Sequence, residues 1–146
     1  MRNNPANIEK MIFGRVNRAR VREGVGSLEV DWGLVWLSRQ HSLKQAKTRS
    51  IWHGNNVHLA AQNIARYQGL GGQLRRICSP CRGYSGENVA MLPACGGDFK
   101  IAQHLHHMWM KSPGHRENIL NSKFSLVGIG VKNKGRTFYA TELFYG

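Results

Sequence analysis

The C-terminal seventh of the chain constrains its fold most tightly. Leu126 to Lys132 and Thr137 to Tyr145 alternate with the two-residue period of strands, and Asn133-Lys134-Gly135 between them is a hairpin turn signal. A third strand-like stretch runs from Gly86 to Leu92 and ends in a turn over Pro93 to Gly97. A sheet of this kind needs helices to cover it, and the rest of the chain supplies them.

Asn4 followed by Pro5 is an N-cap with proline at the first helical position. Ile8, Met11, Ile12, Val16 and Ala19 recur at helical spacing, and Gly24 supplies the stop, so a helix is predicted from Pro5 to Glu23. After a loop through Val25 to Val30, Asp31 caps a second helix to about Arg49. Its inward positions are Leu34, Val35, Leu37, Ser38, His41, Ser42 and Ala46. His41 lies on that stripe and reads as a packed or hydrogen-bonded histidine rather than a ligand. Ala60 to Tyr67 reads as a short helix, followed by a glycine-rich connection without a sustained period. Asp98 is expected to cap a further helix to about Lys111, with Ile101, Leu105, Met108 and Trp109 on one face. Helix, helix, strand, helix, strand, strand is an α+β order, which favours helices packed on an antiparallel sheet.

The 146 residues suit one domain, residues 1–146, because chains of about 150 residues bury roughly 70% of their unfolded surface. No apolar run approaches the ~20 residues that cross a bilayer, and residues 1–30 lack the apolar core of a signal peptide. The 21 Lys and Arg against 8 Asp and Glu give a formal charge of +13. That charge is spread along the chain, with no block of five or six like charges, so no specific nucleic-acid partner is predicted. Arg15, Arg18 and Arg22 share one helix face, which reads as a solvated surface. Salt-sensitive affinity for anionic membranes or cell-wall polymers remains as a secondary property.

Cys78, Cys81 and Cys95 are an odd set, and Cys78-Ser79-Pro80-Cys81 has the CxxC spacing of redox pairs and zinc knuckles. A zinc site would take Cys95 and one of His104, His106 and His107 as further ligands. Those histidines fall on different faces of their helix, so a local disulfide or free thiols are the favoured readings.

Two strings carry chemistry. In Ser112-Pro113-Gly114-His115-Arg116-Glu117-Asn118-Ile119-Leu120, Ser112 caps a short helix and Pro113 fits its first turn. His115 then sits where the helix dipole favours a neutral imidazole. Gly114 leaves room beside it for a ligand. In Gly86-Glu87-Asn88-Val89-Ala90, Glu87 stands at the mouth of a strand. A carboxylate and an imidazole together set tautomers, orient metal ligands or move protons.

The strings GENVA, HHMWMKSPGHRENIL, VGIGV and YATELF, in that order, resemble the CAP superfamily, also called SCP-like. It comprises the cysteine-rich secretory proteins, antigen 5 and the plant pathogenesis-related type 1 proteins. The N-terminal VNRARVREGVGSLEVDWGLVWLSRQHS is similar to the family's opening helix, loop and second helix, whereas residues 54–85 match poorly.

The resemblance implies a three-layer α-β-α sandwich around a central antiparallel sheet, with an open groove holding a His/Glu site. Carried onto this chain, the site is His53, Glu87 and His115, with His53 favoured over His58 because it follows the second helix directly. Where family members carry a second glutamate after the helix-end tryptophan, this chain has Ser112.

The resemblance further implies weak divalent-metal binding, zinc for example, by His53 and His115, with Glu87 orienting them and water completing the coordination. Ser112, Gly114 and Glu142 are candidate ligand-binding positions, although Glu142 reads more readily as facing solvent. A secreted or cell-surface monomer is expected. Its function is expected to be non-enzymatic binding of a lipid-like, cell-wall or other extracellular ligand, ahead of a metal-assisted hydrolase using Glu87 as base.

Overall fold

The computed structural model describes residues 2–54 and 83–146. The elements are α1 (Pro5–Arg22), β1 (Glu29–Val30), α2 (Trp32–Thr48), β2 (Ser85–Pro93), α3 (Asp98–Lys111), α4 (Pro113–Leu120), β3 (Leu126–Lys134) and β4 (Thr137–Tyr145). The helix expected at Ala60 to Tyr67, together with His58, Cys78 and Cys81, lies outside the described residues.

The sheet has the order β1-β3-β4-β2. β2, β4 and β3 are antiparallel as expected, while β1 adds a short parallel pairing to β3, Glu29 opposite Leu126 and Val30 opposite Val127. β1 falls within the stretch read as a loop, because two residues carry no period. The β3–β4 turn is formed by Gly135 and Arg136, with Gly135 at φ 57°, one position later than the turn residues in the sequence suggest.

Helices cover both faces, giving the α-β-α sandwich. On one face lie α1, α3 and α4, packed through Ile8, Ile12, Val16, Ile101, Leu105, Trp109 and Ile119 onto Val127, Ile129, Val131, Phe138, Ala140 and Phe144. On the other lies α2, and the contact there is of a different kind. A Cβ at Gly128 would collide with the backbone at Leu34 and Val35, and one at Gly130 with the backbone at Ser38 and Arg39. The two glycines let the helix backbone rest directly on the strand. Ser38 Oγ donates to the Gly128 carbonyl and Ser42 Oγ to the Gly130 carbonyl, each at 2.8 Å, and Ser42 also bonds Thr141 at 2.8 Å. All seven inward positions predicted for α2 are buried.

Two buried charges tie the layers together. The Glu9 carboxylate accepts from the Val131 N–H at 2.9 Å on the β3 edge beyond β1, and from Arg39 Nη2 at 2.7 Å. It thereby links α1, β3 and α2. Arg20, 1% exposed, donates Nε to Gly26, Nη1 to Ile119 and Asn121, and Nη2 to Phe124, all carbonyl oxygens at 2.7–3.1 Å. It holds the C-terminal end of α4 against α1.

Three local expectations are corrected. Gly97 is the N-cap of α3, and Asp98 accepts instead from the Asn4 N–H and from Asn7 Nδ2, at 3.0 Å each, which ties α3 to the start of α1. Ser112 occupies the N-cap of α4 but its side chain makes no capping hydrogen bond. Met108 is 42% exposed, and the buried stripe of α3 is Ile101, Ala102, Leu105 and Trp109.

Candidate functional site

His53 is placed by the far end of α2. Arg49 adopts a left-handed conformation at φ 54° and turns the chain back along the helix. Two inward side chains of α2 then grip the returning segment at one residue. Gln45 Oε1 accepts from the Trp52 N–H at 3.1 Å, and His41 Nε2 bonds the Trp52 carbonyl at 2.8 Å with its ring edge-on to the indole. His41 is therefore the hydrogen-bonded histidine its position suggests, and the residue it fixes immediately precedes His53.

Glu87 lies near the start of β2 and opposite Leu143 of β4, on the sheet face that α2 covers. Its Oε1 accepts from the Gly54 N–H at 2.9 Å and stands 3.1 Å from His53 Nδ1. The carboxylate side chain is 3% exposed and the imidazole 65% exposed, so a buried acid orients an exposed ring. With Nδ1–H donating to Glu87, Nε2 keeps its lone pair toward solvent.

His115 is on the first turn of α4, where Pro113 stands at the start and a Cβ at Gly114 would meet nothing within 4 Å. Partial burial, and then electrostatic repulsion from nearby His53, pull the His115 imidazole below its usual range. It is thus a neutral ring held close to His53. The structure brings His53 and Glu87 into direct contact and places His115 near enough to His53 for the two imidazoles to interact electrostatically.

Behind this cluster lies a polar network that the sequence reading missed. Asn88 Nδ2 donates to the His115 carbonyl and to Glu142 Oε1, both at 3.0 Å, and Asn88 Oδ1 accepts from Asn118 Nδ2 at 2.9 Å. Asn118 Nδ2 also reaches the Glu87 carbonyl at 3.3 Å. The available signals were modest: Asn88 follows Glu87 directly, and Asn118 stands three residues after His115 on the same helix side. Gly86 serves the same packing, since a Cβ there would sit 2.9 Å from Asn118 Oδ1.

Glu142 belongs to this network and does not face solvent. It is fully buried on the face covered by α1, α3 and α4, opposite Asn88, and burial pushes its carboxyl up to about 8 against the lowering effect of the Asn88 hydrogen bond. It is a neutral acid at pH 7. Alternation places it on the opposite face from Glu87, so it supports Asn88 from behind rather than touching a ligand at His53.

Among the described residues, no group of three or more His, Cys, Asp or Glu side chains is arranged to hold a metal ion. His104 and His107 are exposed, His106 is half-buried, and Cys95 is a free thiol packed against the core. The donor chemistry at His53 and His115 does suit a two-imidazole site. One ring is oriented by a carboxylate and the other is held neutral, as metal ligation requires.

The sequence matches the cysteine-rich secretory protein family, CAP, over residues 13–145. It is 25% identical over 138 residues to the Bacillus subtilis protein YkwD, a match covering 94% of this chain and 47% of YkwD, so the chain spans about half the length of that relative. The fold is similar to an outer surface protein from Borrelia burgdorferi, with a TM-score of 0.71, 17% identity, and coverage of 97% of this chain and 94% of that one. It is also similar to an extracellular SCP-domain protein from Bacillus anthracis, with a TM-score of 0.60, 24% identity, and coverage of 97% and 41% respectively. The family match over most of the chain, together with the α-β-α sandwich, shows that this protein belongs to the cysteine-rich secretory protein family.

Proposed function

We propose that this domain is a binding module whose ligand meets the surface at His53, Glu87 and His115, and which binds a divalent metal such as zinc weakly through the two imidazoles. One observation carries the reading: Glu87 Oε1 is already engaged by the Gly54 N–H and by His53 Nδ1. A carboxylate in that position orients a ring and fixes a backbone segment. Two protein ligands make an exchangeable site, with water filling the remaining positions. A metal held there would supply Lewis acidity or a bridge to an anionic or carbonyl group of the ligand. The chain's own contribution is to present the Nε2 atom of His53 and a neutral His115. Lipid-like and extended polymeric ligands are the classes proposed for the groove. Secretion or surface display is proposed from relatives described as extracellular and as an outer surface protein.

Calorimetry with zinc tests the reading. His53→Ala and His115→Ala should each weaken binding by about tenfold or more, the loss expected when one of two protein ligands is removed. Equal affinity in both variants and the parent overturns the assignment.

The neutral His115 beside a His–Glu pair also favours a second reading, a metal-assisted hydrolase in which these groups move protons. Peptides, esters and cell-wall fragments should then be turned over by the parent and not by Glu87→Gln. Turnover that survives both Glu87→Gln and His115→Ala does not come from this site.

A further inference from the structure

Four arginines of α1 lie between residues 15 and 22, and they divide sharply. Arg20 is buried with its donors engaged by backbone carbonyls. Arg15, Arg18 and Arg22 recur at i, i+3 and i+7, and among the described residues none has a carboxylate partner within the cleft they line. That cleft has a volume of about 300 Å³, and its other side is formed from α3 by Gln103, His106 and His107.

The cleft is open to solvent, with Arg18, Arg22, Gln103 and His107 exposed and Arg15 and His106 half-buried. No Asp or Glu lines it, so three guanidinium groups on successive turns repel one another without compensation. Arg15 is held with its guanidinium 4.9 Å from the centre of the Phe99 ring, which fixes its position. His106 Nδ1 is buried and has no hydrogen-bond partner among the described residues. Burial first, and then the charges of Arg15 and Arg18, push that imidazole down to about 4.

We propose that the cleft between α1 and α3 binds a tetrahedral dianion of the phosphate or sulfate type, either free or as the phosphate ester of a lipid headgroup, through Arg15, Arg18 and Arg22. Guanidinium forks match such oxyanions with paired N–H donors, which an ammonium cannot do. Gln103 and His107 add polar contacts at the rim. The site stands apart from His53 and Glu87, which lie on the sheet face covered by α2.

Titration of the whole chain with inorganic phosphate at about pH 7.5, where the dianion prevails, tests the proposal, with ionic strength held constant by sodium chloride. Saturable binding is expected. Arg18→Gln should weaken it about tenfold, Arg18→Lys should weaken it while preserving net charge, and Lys132→Gln should leave it unchanged. Thermal melts of each variant verify folding, and the charge-preserving Arg18→Lys keeps the test decisive should a neutral variant fold poorly. Flotation with phosphatidylcholine vesicles, with and without phosphatidic acid, separates the sources. Binding to the acidic vesicles that free phosphate displaces assigns the headgroup, and phosphate binding without vesicle binding assigns the free anion. A phosphate response that chloride reproduces at equal ionic strength, or that Arg18→Gln and Arg18→Lys both leave intact, overturns the site.

Discussion

The two faces of the sheet are covered by different physics. Against α1, α3 and α4 the contact is hydrocarbon: Ile, Leu, Val, Phe and Trp side chains whose burial contributes about 25 cal/mol per Å² and whose shapes can readjust. Against α2 the contact is backbone on backbone, with two glycines as the floor and three hydroxyl groups as the ties. The first kind tolerates small changes of volume, and the second has nowhere to put an added atom. That difference also bears on the site, because α2 is the element that holds Trp52 and so places His53.

Valine at Gly130 should therefore be the most damaging change. It forces α2 off the sheet and should cost at least about 3 kcal/mol, whereas Ile129→Val on the opposite face should cost about 1 kcal/mol. Urea denaturation of the two variants measures the contrast. Similar losses would show that the faces do not differ in rigidity.

Removing a buried polar link should come next. Asn88→Ala strips Glu142 Oε1 of its donor and takes one hydrogen bond each from the His115 carbonyl and Asn118, and should cost about 2–3 kcal/mol. It should also weaken zinc binding, because α4 and β2 lose a tie beneath His115. Full retention of both stability and zinc affinity would show that the network does not position the site.

What the sequence disclosed follows the same division. Long amphipathic periods and strand alternation marked α1, α2, α3, β3 and β4 closely, because burial on one face leaves a repeating signature. GENVA and SPGHR pointed to Glu87 and His115, since their chemistry sits within a few residues. The inward position of Glu142 was hidden, because a single acid at an alternating position looks the same whether neutral and buried or charged and solvated. Gly128 and Gly130 read as ordinary strand residues, since close approach of a distant helix leaves no local mark. Asp98 looked like a cap because its actual partners, Asn4 and Asn7, are more than ninety residues away.

Glu142 offers a pH test of the apolar face. Its carboxyl titrates near 8 when folded, above the ordinary value of 4.5, so between those pH values the folded state holds a proton that the unfolded state has released. Stability from this group is present below about pH 4.5 and declines as pH rises toward 8. Glu142→Gln should remove that decline, gaining on the order of 2 kcal/mol over the parent at about pH 8 and little at about pH 4. Melting curves at the two pH values check it, and a gain that is the same at both would mean that Glu142 is ionised in the fold.

The smallest expected effect has the opposite sign and lies on the outer side of α3. His106 is neutral in the folded state, with its pKa lowered to about 4 by burial and by Arg15, Arg18 and His107, against 6.5 in the unfolded chain. Between those values the unfolded state binds the extra proton, so this contribution is complete above about pH 6.5 and is lost as pH falls toward 4. His106→Gln should therefore flatten the acid limb of the stability profile by about 1 kcal/mol, after allowance for solvent screening. Glu142 and His106 thus pull the optimum from opposite sides, one from within the hydrocarbon layer and one from its solvent side. Stability profiles of the two single variants and the double variant should show additive changes, because the groups share no hydrogen-bond partner among the described residues. Non-additivity beyond about 0.5 kcal/mol would mean that α3 transmits charge between the arginine cleft and the sheet.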